Sequence, residues 1–518
     1  MITFIISFIA LVLGYLVYGA IVERVMSPDG RETPAVRLAD GVDYVVLPTW
    51  KVFMIQFLNI AGTGPIFGAI MGMWFGPASY LWIVLGCIFA GAVHDFMSGM
   101  LSLRHDGANL PTMIGKYLGN SARNVMLIFT VILLLMVGAV FVYSPALILN
   151  DMWGGNATTI WWIVAIFAYY VVATLLPIDK IIGRIFPLFA IALLVMAAGL
   201  LVGLFIKMPH LPELWDMGNM DAWRQTQVVN GKDMLGVSAY LQNNPWFPCL
   251  FITIACGAIS GFHATQSPLM ARCLKSERLA RPVFYGAMIT EGLVALIWAT
   301  VSSYFFYYGG WKEVVSPEVV NRFMAQAQLA DGENLIQYFD APQLVNWVCS
   351  SWLGIFGGTL AVLGVVAAPI TSGDTALRSA RLIIAEALHF EQKSIVRRLM
   401  ISIPIFAASL LLLIWQMNDK DGFNVLWQYF GWFNQALSVF TLWMITVYLA
   451  RERKPYIITL VPAVFMTVVC SSFLVASPKA FDLADSTPWA AAIVAAVSLL
   501  WFALWLKKER ASSRLPRD

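Results

Sequence analysis

The feature that most constrains this chain is a succession of apolar stretches, each close to the roughly 20 residues a helix needs to cross a bilayer. About thirteen occur, near residues 1–22, 51–75, 78–103, 124–149, 158–177, 184–206, 246–270, 283–308, 346–374, 399–416, 423–449, 456–476 and 488–506. This pattern predicts an all-α integral membrane protein, because a helix satisfies its own backbone where no water is present. Composition agrees: 59% of the 518 residues are hydrophobic and 12% are charged, against about 25% charged in soluble domains. Membrane lipid is then the solvent, and nothing points to nucleic acid as a partner. The first stretch has neither a basic leader nor a small-residue cleavage site, so it reads as a retained span. Cys87, Cys249, Cys256, Cys273, Cys349 and Cys470 lie mostly within apolar runs and lack CxxC spacing. They read as packing thiols, and no metal or cofactor is expected.

If the spans alternate, the basic connections fall on one side: Arg24 to Lys51, Arg104 to Arg123, Lys180 and Arg184, Arg272 to Arg281, Arg378 to Arg398, Arg451 to Lys454, and the tail from Lys507. The positive-inside rule makes that side cytoplasmic, with the N-terminus outside and the C-terminus inside. Two long outer segments, 208–245 and 310–344, are too polar to cross, and Pro317–Met324 reads equally as an amphipathic surface helix or as a solvated loop.

Two spans carry helix-disfavouring residues in their middle. In the second, Asn59-Ile60-Ala61-Gly62-Thr63-Gly64-Pro65 gathers two glycines and a proline, which removes a backbone donor and clashes with the preceding turn. In the seventh, Cys256-Gly257-Ala258-Ile259-Ser260-Gly261-Phe262-His263 does the same with small residues. Each break opens a block of five spans, and the two spans start on opposite sides of the membrane. Interrupted helices at matching places in two inverted halves point to a transporter binding site. The same glycines have GxxxG packing spacing, and it is their pairing that favours a site over a packing face. The resulting organisation is 1–50, an extra span and cytoplasmic linker; 51–206, the first five-helix repeat; and 207–245, an extracytoplasmic loop. Residues 246–449 form the second repeat with outer loop 310–344, and 450–518 hold two further spans and a basic tail.

Several stretches resemble the carbon starvation protein A family of bacterial inner-membrane transporters. They are Thr33-Pro34-Ala35-Val36-Arg37, Asp40-Gly41-Val42-Asp43-Tyr44, Ile60 to Pro65, Gly91-Ala92-Val93-His94-Asp95-Phe96-Met97, Arg104-His105-Asp106-Gly107, Phe251 to His263, and Asp374 with Arg378 and Arg381. The resemblance runs from about residue 30 to 450. It implies a secondary transporter related to the amino acid–polyamine–cation superfamily, with a 5+5 inverted-repeat (LeuT-like) core and broken first and sixth core helices. Its implied role is uptake of peptides or pyruvate when carbon is scarce. Longer family members have a His pair where this chain has Ile55-Gln56, and a Ser/Gly/Thr-rich run where it has Ala264 to Pro268. Substrate identity does not transfer across those differences.

The expected substrate site is Gly62, Thr63, Gly64, Gly257, Ser260, Gly261 and His263, whose freed amides and side chains would hold a carboxylate at half-helix ends. Ionisable groups inside a membrane are functional candidates by default. Glu291 is the first candidate proton carrier, with Asp95 and His94 behind it; structural pairing of Glu291 with Arg272 or Arg104, and of Asp95 with Arg104, is the plainer reading. His263 reads equally as a packing histidine, and Asp374 with Arg378 as a helix-surface pair at the cytoplasmic end of the ninth span. A sodium alternative places the ion at Asn59, Gly62, Thr371 and Ser372, unless those hydroxyls bond back to their own helix. A membrane enzyme or a starvation sensor is a weaker alternative, because no HExxH, GxSxG or phosphate-loop pattern is present.

Overall fold

The computed structural model describes residues 1–41, 43–153, 158–175, 182–219, 228–229, 232–233, 244–307, 310–315, 318, 321, 341–391, 394–419, 422–478 and 480–512. Among the described residues the regular structure is helical apart from a hairpin pairing Val228–Val229 with Lys232–Asp233 and an isolated bridge between Glu32 and Ser276. In order come α1 (Ile2–Met26), α2 (Thr49–Ile60), α3 (Gly64–Phe75), α4 (Ala78–Arg104), α5 (Leu110–Leu118), α6 (Asn120–Trp153), α7 (Thr158–Leu175) and α8 (Ile182–Lys207). Then follow α9 (Trp246–Thr253), α10 (Gly261–Ala271), α11 (Glu277–Tyr307), α12 (Phe356–Ala387), α13 (Ile395–Asn418), α14 (Gly422–Arg451), α15 (Ile457–Ala476) and α16 (Thr487–Ser512).

Among the described residues ten helices are long and apolar enough to cross a membrane, and α2 with α3, bent by 53°, make an eleventh. The other two expected spans correspond to α7, which is shorter, and to α9 with α10, separated by a non-helical segment. The ninth expected span is displaced: a helical stretch from Ala341 turns at Gly354, φ +58°, and α12 then runs on to Ala387. Asp374 and Arg378 therefore lie inside α12, and both are buried. They do not form the expected surface pair, because the helix continues through the small and helix-favouring run Thr375-Ala376-Leu377-Arg378-Ser379-Ala380. The segment Pro317–Met324, read as a surface helix, lies almost wholly outside the described residues.

The helices sort into an inner and an outer set. In α4 and α11, 83% of an 18-residue apolar stretch is buried in protein, against 6% in α16. Ile2, Ile6, Ile9, Leu13 and Leu16 of α1 and Leu499, Leu500 and Leu504 of α16 are exposed. Apolar side chains on an outer helix lose nothing by facing lipid tails. The inner set surrounds the two breaks.

Both breaks have local causes. After Ile60 the backbone leaves the helical region at Ala61 (ψ 52°), and α3 restarts with Pro65 in its first turn, where a missing N–H is harmless. In the second break Gly257 has φ +91°, a conformation that side-chain-bearing residues avoid. The two breaks also touch: a Cβ on Gly64 would sit 2.4 Å from Cβ of Cys256, so only glycine permits the contact.

Candidate functional site

α4 carries His94 and Asp95, α10 carries His263 and α11 carries Glu291, and none of the four has exposed surface. The packing that brings them together rests on small residues: a Cβ on Gly91 of α4 would meet the carbonyl oxygen of Ala258 in the second break at 2.2 Å. The Asp95 carboxylate faces an imidazole with each oxygen, His94 Nδ1 to Oδ1 and His263 Nδ1 to Oδ2, both at 2.8 Å. The far nitrogen of His263, Nε2, lies 3.4 Å from Oε2 of Glu291. His94, Asp95, His263 and Glu291 thus form a continuous buried row joining three helices and the second break.

The chemistry of the row follows from counting protons. With Asp95 accepting Nδ1–H from both imidazoles, one proton is shared by His263 Nε2 and Glu291, as imidazolium with carboxylate or imidazole with carboxylic acid. With Asp95 ionised the cluster then carries a net charge of −1, and one further proton makes it neutral. A buried net charge is expensive and a neutral cluster far less so. Such a row can therefore load and release one proton with a large change in how well it tolerates enclosure.

The basic partners expected for these acids are elsewhere. Arg104 donates to both carboxylate oxygens of Glu277 at 3.1 Å and to the carbonyl of Met26 at 3.0 Å, and Arg272 donates to the carbonyl of Gly107 at 2.8 Å. The expected pairing of Asp95 or Glu291 with these arginines is thus corrected: both guanidinium groups are engaged elsewhere, and Thr33 of the polar linker bonds to the Leu274 carbonyl at 2.6 Å near the end of α10. The acids deeper in α4 and α11 are left to histidine.

The expected substrate-site residues divide. Ser260 donates its hydroxyl to Asn434 Oδ1 at 2.9 Å, and the amide of Phe262 donates to the same oxygen at 2.7 Å. The start of α10 is thus occupied by a side chain of α14. Gly62 folds its amide back to the Ile60 carbonyl at 2.9 Å, while the Thr63 hydroxyl, buried, has no hydrogen-bond partner. Of the sodium candidates, Thr371 bonds back to Ala367 and Ala368 carbonyls of its own helix at 3.0 and 2.8 Å. Ser372 instead reaches across from α12 to the carbonyls of Leu58 and Asn59 at 3.1 and 3.0 Å, closing the open end of α2. Asn434 escaped the sequence reading, although an Asn-Gln pair within an apolar stretch is itself a signal of a specific role.

Cys256 Sγ, His263 and Glu291 each place one donor atom within 4.8 Å of the others. The thiol is already bonded to Ser260 Oγ at 3.6 Å and by Asn434 Nδ2 at 3.5 Å, whereas His263 Nε2 and both Glu291 carboxylate oxygens have no hydrogen-bond partner.

A row of titratable groups beside paired helix breaks agrees with what the chain is similar to. The profile described as carbon starvation protein CstA matches residues 1–159, 145–338 and 341–472. The chain belongs to the CstA family. An uncharacterized membrane protein of Haemophilus influenzae is 44% identical over 338 residues, covering 57% of this CstA-family chain and 89% of that protein. The peptide transporter CstA of Escherichia coli K12 is 25% identical, covering 88% and 77%. The pyruvate/proton symporter BtsT of the same organism is 29% identical, covering 54% and 45%. Solved structures of a manganese transporter from Eremococcus coleocola match 91% of this chain and 99% of theirs, at TM-scores of 0.50 to 0.52 and 13 to 14% identity. At that identity the likeness shows the fold, a multi-span helical transporter fold.

Proposed function

We propose that this chain is a proton-driven secondary transporter that imports a small carboxylate or short peptide, pyruvate or a peptide among them, across the bacterial inner membrane under carbon starvation. The observation that carries the reading is the buried row of Asp95, His263 and Glu291, which attaches a one-proton store to the second helix break. In this reading about thirteen spans place the N-terminus outside and the C-terminus in the cytoplasm. Residues 51–206 and 246–449 are the two inverted five-helix repeats. Substrate binds between the breaks at Gly62, Thr63, Gly64, Gly257 and Gly261, with Ser260 and His263 released from Asn434 and Asp95 when the site opens.

Coupling then follows from the charge count. The singly protonated row, at a net charge of −1, keeps the site open to water; a zwitterionic substrate with one further proton, or a carboxylate anion with two, gives a neutral assembly that both halves can close over. Closing around an unneutralised row is unfavourable, so closure without the further proton is suppressed. Uptake of labelled pyruvate and labelled alanyl-alanine into liposomes containing the purified protein, under an imposed inward proton gradient and then a sodium gradient, tests this. Stimulation by protons alone is expected; stimulation by sodium alone contradicts it.

One observation favours the sodium reading: Ser372 joins its hydroxyl to the free carbonyls of α2, the kind of oxygen cluster that holds sodium at a broken helix. The same uptake measurement separates the two.

A further inference from the structure

The first broken helix carries an unused hydrogen-bonding face. Gln56 and Asn59 lie one turn apart on α2, so their side chains leave the helix on the same side, and Thr63 follows just after the break. All three are fully buried. Yet both polar atoms of the Gln56 amide, both of the Asn59 amide, and the Thr63 hydroxyl have no hydrogen-bond partner. Leaving such a group unpaired in the interior is costly, and native interiors rarely tolerate a cluster of them.

We propose that Gln56 and Asn59 determine substrate specificity, and that they select a substrate bearing N–H donors, an amino acid or a short peptide, over a keto acid. The inference rests on the transport reading above. The unpaired atoms are of both kinds: donors at Gln56 Nε2, Asn59 Nδ2 and Thr63 Oγ1, and acceptors at Gln56 Oε1 and Asn59 Oδ1. A keto acid offers only acceptors and leaves the two amide oxygens unmet. A bare cation offers only an acceptor's partner and leaves the amide nitrogens unmet. An ammonium or peptide N–H adjacent to a carbonyl or carboxylate meets both. The two amides are uncharged, so they read this pattern without altering the proton count of the row at Asp95, His263 and Glu291.

The test is counterflow in liposomes containing the full-length protein, with labelled pyruvate, L-alanine and alanyl-alanine as probes. Alanine differs from pyruvate by replacing the keto oxygen with an ammonium group. Wild type is expected to exchange alanine or alanyl-alanine with an apparent affinity at least roughly tenfold tighter than pyruvate; whichever of the two is preferred identifies a free amino acid or a peptide. Gln56→Met and Asn59→Leu, near-isosteric and apolar, are expected to lose that preference. Because they remove unpaired polar atoms, their ligand-free unfolding temperatures are expected to equal or exceed that of wild type. Variants that keep the preference, or that unfold at lower temperature, overturn the assignment. Exchange of pyruvate alone overturns it too and leaves the transport reading standing, whereas exchange of none of the three probes overturns both.

Discussion

His263 Nε2 stands 3.4 Å from Glu291 Oε2, with both side chains wholly buried. With Asp95 ionised and bonded by both imidazoles the pair shares one proton, and Asp95 Oδ2 lies on the other side of the imidazole at 2.8 Å. Glu291→Gln keeps the shape and removes the exchangeable proton. The expected outcome is that substrate counterflow persists while accumulation under a proton gradient falls by at least roughly tenfold. Equal loss of both activities would mean that Glu291 binds substrate and does not carry a proton.

The contact of Gly64 with Cys256 makes a packing prediction. A Cβ on Gly64 lands 2.4 Å from Cβ and Sγ of Cys256, so Gly64→Ala forces the breaks apart, and overpacking of this kind costs about 1–3 kcal/mol. Cys256→Gly in the same chain removes both clashing atoms and is expected to recover most of the lost thermal stability. Independent, additive losses in the double variant would show that the breaks are not in contact.

How much of this was legible in the sequence depends on range. The breaks were legible because Gly62, Gly64, Pro65 and Gly257 act on their own backbone, and local chemistry decides local geometry. The burial of Asp95, His263 and Glu291 was also legible, since apolar neighbours surround each. Their partners were not. Arg104 looked like the nearest base to Asp95 along the chain, but the interaction with Glu277 is set by how the ends of α4 and α11 meet across 173 positions. Asn434 was missed for the same reason: its role at the start of α10 depends on a helix pair 172 residues apart. The end of α12 was misplaced because Asp374, Arg378 and Arg381 read as a water-facing boundary, whereas they are buried by neighbouring helices.

Ser372 links α12 to α2 through the carbonyls of Leu58 and Asn59. Ser372→Ala leaves those carbonyls short of a donor and is expected to lower stability by about 1–2 kcal/mol, without creating or abolishing a sodium requirement for uptake. Loss of a sodium requirement in this variant would favour the sodium reading.

On the opposite side from the linker, Glu213 accepts the amides of Ile2 and Thr3 at 2.9 and 2.7 Å and the ammonium of Met1, capping the start of α1. Burial pushes its carboxyl up, but the ammonium and the hydroxyl and amide of Thr3 outweigh this and hold it below the usual value near 4.5. A depressed carboxylate contributes stability above its unfolded value and loses it as pH falls through the folded one. Glu213→Gln is therefore expected to lower the unfolding temperature at pH 7, and the difference from wild type is expected to shrink as the pH falls below the ordinary carboxyl value near 4.5. A difference that is unchanged or larger in acid would contradict the cap.

The most direct measurement of the central claim is proton movement itself. Liposomes holding a trapped pH-sensitive dye and the purified chain are given pyruvate or alanyl-alanine outside, with no imposed gradient. Interior acidification that follows addition of the carried substrate in wild type and is absent in Glu291→Gln, while labelled substrate still exchanges in both, is the result predicted. Acidification that persists in Glu291→Gln, or substrate entry in wild type with no change in interior pH, would contradict it.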